Sequence, residues 1–167
     1  KAIEIKPDFA EAHSNLGITL SDLGNLQEAE LSYRKAIEIK PDFAEAHSNL
    51  GIILKDHGKL EEADISLRKA IEVNPDLAEA YSNLGSILID LGKLTEAELS
   101  TRKAIEIKPD YAEAYSKLGN ILKDLGKLQE ALDSYLKAID INPTLSHFYT
   151  SITTLLKDSD PSQLNKS

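Results

Sequence analysis

Proline returns at a fixed interval along this chain: Pro7, Pro41, Pro75, Pro109 and Pro143 stand 34 residues apart, and most of the residues around each return with it. A constant period of this size means stacked copies of one supersecondary unit, each burying its apolar face against its neighbours. The chain is an array, so its function belongs to a surface built by many copies rather than to one catalytic constellation.

Numbering each unit from the alanine three residues after its proline gives complete repeats at 10–43, 44–77, 78–111 and 112–145. In the second, Ala44, Ala46, His47, Leu50, Gly51 and Leu54 follow helical spacing, and Leu60, Ala63, Leu67, Ala70 and Ile71 resume it after a break at Gly58. The spacing predicts two short amphipathic helices joined by a tight turn. All eight glycines fall at two repeat positions. Gly24, Gly58, Gly92 and Gly126 are expected to end the first helix in the left-handed conformation. Gly17, Gly51, Gly85 and Gly119 lie inside it, where the lost helix propensity of about 1 kcal/mol is explained by close approach of the second helix. Asp8, Asp42, Asp76 and Asp110 are each followed three residues later by a glutamate: Glu11, Glu45, Glu79 and Glu113. This capping-box pattern predicts that the aspartates hold the first free amides of each repeat.

These residues resemble the tetratricopeptide repeat (TPR) family, whose pattern sets a large residue at position 4, Leu-Gly at 7 and 8, a large residue at 11, alanine at 20 and 27, a bulky residue at 24 and proline at 32. The second repeat offers His47, Leu50, Gly51, Leu54, Ala63, Leu67, Ala70 and Pro75, and the fourth Tyr115, Leu118, Gly119, Leu122, Ala131, Tyr135, Ala138 and Pro143. Thr101 departs from the pattern at position 24 of the third. The resemblance spans about residues 1 to 156 and implies an all-α fold, a right-handed α-solenoid of antiparallel helix pairs.

The ends of the array are read from where the period decays. Residues 1–8 repeat 35–42, so 1–9 read as the end of a truncated preceding repeat. After Pro143, Thr144 and His147 replace the Asp and Glu of the box and Thr153 replaces the packing glycine. Residues 146–157 then read as a C-terminal capping helix, and 158–167 as a tail.

Composition narrows the function classes. The net charge is -9, from 28 acidic and 19 basic side chains with no basic run, which repels phosphate backbones and anionic membranes; neither nucleic acid nor membrane is an expected partner. Absence of cysteine removes thiol nucleophiles, disulfides and zinc-thiolate sites, and fits a reducing, cytoplasmic location. No phosphate loop, nucleophile elbow or metal-ligand spacing is present, so no catalytic residue, cofactor or metal is expected. His13 and His47 stand where Tyr81, Tyr115 and Tyr149 stand in other repeats and read as packing residues; His57 and His147 read as surface substitutions.

The more informative set is polar and periodic. Asn15, Asn49 and Asn83 occupy position 6, and Asp22, Asp56, Asp90 and Asp124 position 13. Spacings of three and four place them on one face of the first helix, away from its Leu-Gly edge. An asparagine amide offers both a donor and an acceptor, as an extended peptide backbone requires. Helices packed at roughly 8 to 10 Å would meet about every third residue of such a peptide. The set resembles the asparagine ladder in the TPR superhelix of O-linked N-acetylglucosamine transferases. That likeness implies that the asparagines grip a ligand backbone in a concave groove and that the aspartates read its side chains.

Lys117 replaces the fourth asparagine and, with Asn120 and Lys123, makes the last repeat a cationic seat for an acidic group. The dicarboxylate clamp of chaperone-binding TPR domains fits less well, because Ser14, Ser48 and Ser82 stand where it uses lysine. Ile18, Ile52, Ile89, Phe43 and Tyr111 are expected to add apolar contact. The leading expectation is a non-enzymatic protein-interaction scaffold holding an extended polypeptide. The alternatives are a substrate-recognition arm of a larger, glycosyltransferase-like enzyme, and an array that self-assembles through the apolar edge of Ala2, Ile3 and Ile5.

Overall fold

A computed structural model describes residues 9–145 together with Thr150, Ile152 and Thr153. Among these residues there are eight α-helices and no strand: α1 (Ala10–Asp22), α2 (Leu26–Ile39), α3 (Ala44–Asp56), α4 (Leu60–Val73), α5 (Ala78–Asp90), α6 (Leu94–Ile107), α7 (Ala112–Asp124) and α8 (Leu128–Ile141), followed by a 3-10 turn at Pro143–Leu145. Each first helix pairs with the second helix of its own repeat, and each second helix packs on the next first helix. Successive first helices also touch one another. The molecule is thus an all-α solenoid with an inner layer of first helices and an outer layer of second helices.

Two kinds of small residue set this packing. In the second helices Ala29, Ala36, Ala63, Ala70, Ala97, Ala104, Ala131 and Ala138 are all fully buried, so these helices approach their neighbours closely. In the first helices the interior glycines admit a side chain of the facing helix: a Cβ on Gly119 would lie 2.6 Å from the Tyr135 ring, and one on Gly51 2.7 Å from Leu67. The turn glycines behave as their spacing predicts, with Gly24, Gly58, Gly92 and Gly126 at φ between 72° and 78°.

The capping expectation is corrected. Helices α1, α3, α5 and α7 start after Phe9, Phe43, Leu77 and Tyr111, none of which makes a side-chain cap bond. Asp42, Asp76 and Asp110 stand one residue too early. The reason is the turn before them: the Phe43 amide donates to the Lys40 carbonyl at 3.2 Å, the Leu77 amide to Asn74 at 3.3 Å and the Tyr111 amide to Lys108 at 3.2 Å. Proline sits second in this four-residue turn, where its fixed φ suits, and the aspartate is third. The glutamates of the supposed box are exposed, and Glu11 and Glu79 instead lie 3.8 and 3.9 Å from Lys40 and Lys108. A cap-like bond that spacing did not reveal comes from Asn74, whose Oδ1 accepts the Asp76 amide at 3.1 Å.

Asp8, the apolar edge at Ala2, Ile3 and Ile5, most of the expected capping helix and the tail lie outside the described residues. Thr150, Ile152 and Thr153 are helical. Ile152 is buried in a cluster with Leu118, Leu122, Ala131 and Tyr135.

Candidate functional site

The inner face carries a repeated small constellation that each of its two complete examples assembles from neighbouring repeats. Between α1 and α3 a pocket of about 150 Å³ is lined by Asp22, Ile18 and Ser21 from one helix and Asn49, Ile52 and Ile53 from the next. Between α3 and α5 a pocket of about 230 Å³ is lined by Asp56, Ile52 and Lys55, then Asn83, Ser86 and Ile87. Position 13 of one repeat therefore meets position 6 of the following one, with an aliphatic wall beside them. Asn49 and Asn83 are half-buried and Asn15 is exposed. The amide groups of all three make no hydrogen bond to other described residues, while their backbones are held in the helices.

The next example is altered, and the change centres on Lys117. Its ammonium does not point along the groove as a free cation. It reaches from α7 across to α5, donating to the Ser82 carbonyl at 3.1 Å and to Ser82 Oγ at 2.9 Å. Burial, assisted by the charge of Lys55 and partly opposed by Glu113, pushes its pKa down to about 8. Lys117 also lines the α3–α5 pocket beside Asn83. Asp90, which would share the third pocket, lies 3.5 Å from Lys55 Nζ.

The remaining residues of the expected cationic seat are dispersed. Asn120 Oδ1 accepts the Tyr135 hydroxyl at 2.7 Å and so serves the α7–α8 contact. Lys123 and Asp124 are exposed near the end of α7. Phe43 and Tyr111 stand at helix starts, each with a lysine ammonium, Lys40 or Lys108, 4.8 Å from the ring centre.

His47 and His57 make contacts within the fold, and His147 lies outside the described residues. His47 is half-buried, with Nε2 2.9 Å from the Pro41 carbonyl. His57 is not a plain surface substitution: its Nδ1 lies 2.8 Å from Glu30, and its side chain is only 20% exposed. Among the described residues no group of three histidines, cysteines or carboxylates could hold a metal ion. None of their helices is long and apolar enough to cross a membrane.

Periodicity did not reveal a second feature, a ladder of ion pairs along the outer helices. Arg34 lies 3.1 Å from Glu62, Arg68 3.3 Å from Glu96 and Arg102 2.7 Å from Glu130. Each arginine also binds the acidic residue four positions before it, Glu30, Asp64 or Glu98. The arginines, at position 25, link each second helix to the next.

Comparisons with known proteins agree with this architecture. The model described as "TPR repeat" matches residues 19–58, 53–92 and 85–126, and those described as "Tetratricopeptide repeat" match 112–145 and 1–30. No curated protein matches significantly. Among solved structures, the MamA protein is 28% identical with a TM-score of 0.79, the alignment covering 90% of this chain and 82% of that one. A thermophilic TPR protein of Thermus thermophilus, TTC0263, is 26% identical with a TM-score of 0.77, covering 93% and 85%. YrrB, described as a TPR protein with an unusual peptide-binding site, is 23% identical with a TM-score of 0.77, covering 96% and 84%, a likeness that bears on fold alone.

Proposed function

This chain belongs to the tetratricopeptide repeat family, whose members mediate protein–protein interactions, and we propose that it is a non-catalytic scaffold holding an extended polypeptide along its inner helices. One observation carries the reading: Asn49 and Asn83, each with an aspartate of the preceding repeat and an isoleucine wall, line successive inner pockets with their amides uncommitted. An amide in that state keeps a donor and an acceptor for a peptide unit. Asp22 and Asp56 stand where a ligand side chain would lie, and Asn15 extends the row toward the first repeat. In this reading the ladder likeness to O-linked N-acetylglucosamine transferases concerns how a peptide is held, by asparagines on its backbone and aspartates at its side chains, and not transfer chemistry.

Magnitudes divide the work between amides and apolar walls. Three neutral hydrogen bonds contribute roughly 0.5 to 1.5 kcal/mol each, whereas micromolar binding needs about 8 kcal/mol. Ile18 and Ile52, 44% and 38% exposed beside the amides, therefore have to add apolar contact to what the amides supply. The test is capture from a random-peptide library by the parent chain and by the Asn15→Ala, Asn49→Ala, Asn83→Ala triple variant, with circular dichroism confirming that both fold. Binding is expected to weaken by about tenfold or more in the variant. Equal capture by the two proteins sinks the amide ladder.

A further inference from the structure

The outer face carries a different regularity. Leu31, Ile65 and Leu99, at position 22 of the first three repeats, are 68%, 68% and 66% exposed. Single exposed aliphatic residues are ordinary, but a row at one per repeat is not. Beside this row lie two apolar grooves between outer helices. One, of about 500 Å³, runs between α2 and α4 over Ile37, Leu50, Leu54 and Ile65; the other, of about 510 Å³, runs between α4 and α6 over Ile71, Leu84, Leu88 and Leu99.

The charges around the row say what fits it. Each exposed aliphatic residue has a glutamate three positions before it and an arginine three positions after: Glu28–Leu31–Arg34, Glu62–Ile65–Arg68 and Glu96–Leu99–Arg102. Within the chain Arg34 pairs with Glu62 and Arg68 with Glu96, but these side chains stay about half exposed, at 46% and 55% and at 49% and 53%, so the same helix laid antiparallel beside them still brings the acid of each opposite the base of the other. Ridges and grooves also share one period because both come from the same repeat, so the ridge of one molecule enters the groove of another. The fourth repeat lacks the pattern, reading Glu130, Asp133 and Leu136, so the self-complementary patch has a defined end.

We propose that the outer helices α2, α4 and α6 form an isologous docking surface for a second copy of this chain, with the row of Leu31, Ile65 and Leu99 packing on the partner's row and its two grooves and Glu62 meeting Arg68 across the two-fold axis. A two-fold axis pairs one patch with itself, as this arrangement requires. The surface is distinct from the inner pockets, so docking leaves the peptide groove open.

Sedimentation of the full chain over roughly 1 to 200 μM tests the proposal. The mass is expected to rise from 18.3 kDa toward twice that value. Leu31→Ser, Ile65→Ser and Leu99→Ser together should raise the dissociation constant at least about tenfold. Glu62→Arg should weaken association by placing two arginines face to face, and adding Arg68→Glu should restore it, a rescue that a purely intrachain role would not give. Circular dichroism checks that each variant folds. A chain that stays monomeric throughout overturns the proposal. So does a triple-serine variant that dimerises like the parent, which would place the contact elsewhere.

Discussion

Lys117 Nζ, on α7, donates to both oxygens of Ser82, on α5, at 3.1 and 2.9 Å. It does so where the other repeats offer an asparagine to the groove. Among the described residues no carboxylate lies within ion-pair distance of it, and burial holds its pKa near 8 against an ordinary 10.5. The folded chain therefore releases this proton before the unfolded chain does, and between about pH 8 and 10.5 the unfolded state binds more protons. Stability from this group rises with pH across that window, and below pH 8 the cost of the buried charge is present in full. Lys117→Asn removes the cost and also the two bonds to Ser82. We expect a net gain on the order of 1 kcal/mol near pH 7 and loss of the group's rise at alkaline pH. Urea midpoints of parent and variant at about pH 7 and about pH 9.5 measure both effects. A gap between the two proteins that widens with pH refutes the assignment.

Thr101 occupies a site that Tyr33, Leu67 and Tyr135 fill in the other repeats. Its hydroxyl oxygen, packed against Gly85, is buried with no hydrogen-bond partner among the described residues. A hydroxyl left in this state costs roughly 1 to 3 kcal/mol. Thr101→Val keeps the shape and discards the oxygen, so thermal unfolding should shift upward by about 1 kcal/mol of stability. Thr101→Ser keeps the oxygen, deletes a methyl and should lose about 1 kcal/mol. The opposite order in calorimetry would mean that the hydroxyl has a partner, such as a bound water.

What could be read from the sequence follows from how local each feature is. The 34-residue period and the two glycine positions report backbone constraints set within one repeat, and the helices, the positive-φ turns and the close approaches at Gly51 and Gly119 follow from them. The pockets that join Asp22 to Asn49 and Asp56 to Asn83 follow from the same repeat spacing. Three features were not legible. The Asp42 cap failed because a proline turn moved the helix start by one residue, which composition does not reveal. The swing of Lys117 depends on Ser82, 35 residues earlier, and on a rotamer rather than a period. The Arg34–Glu62 pairs join positions 28 residues apart, a separation that exists only once the solenoid has stacked.

Gly119 and Tyr135 give a packing test. A Cβ at Gly119 would lie 2.6 to 2.9 Å from ring atoms of Tyr135, whose hydroxyl is tied to Asn120 at 2.7 Å. The ring cannot swing away without breaking that bond. Gly119→Ala should destabilise by about 1 to 3 kcal/mol, because overpacking outweighs a helix-propensity gain of about 1 kcal/mol. Gly51→Ala meets Leu67 instead, a branched chain with other rotamers, and should cost less. Chemical denaturation of the two variants separates the cases, and equal losses would show that the tie to Asn120 does not hold the ring.

Glu30 ties α2 to the start of α4 at the acid-sensitive end of the ion-pair ladder. Its carboxylate receives Arg34 at 2.9 Å, His57 at 2.8 Å and Lys59 at 3.1 Å, and its side chain is 12% exposed. Burial alone would raise its pKa, but the hydrogen bonds from Arg34, Lys59 and His57 together prevail and hold it down near 2 from 4.5. With the folded value below the unfolded one, the group's contribution is complete above about pH 4.5 and is lost as pH falls toward about 2. The partners are exposed enough for solvent to screen much of the attraction, so we expect on the order of 1 kcal/mol. Glu30→Gln should lower stability by that amount near pH 7, with the gap to the parent unchanged at about pH 5 and shrinking by about pH 3. Urea midpoints at the three pH values check this. A gap that persists undiminished at about pH 3 would assign the effect to the shape of the side chain rather than to its charge.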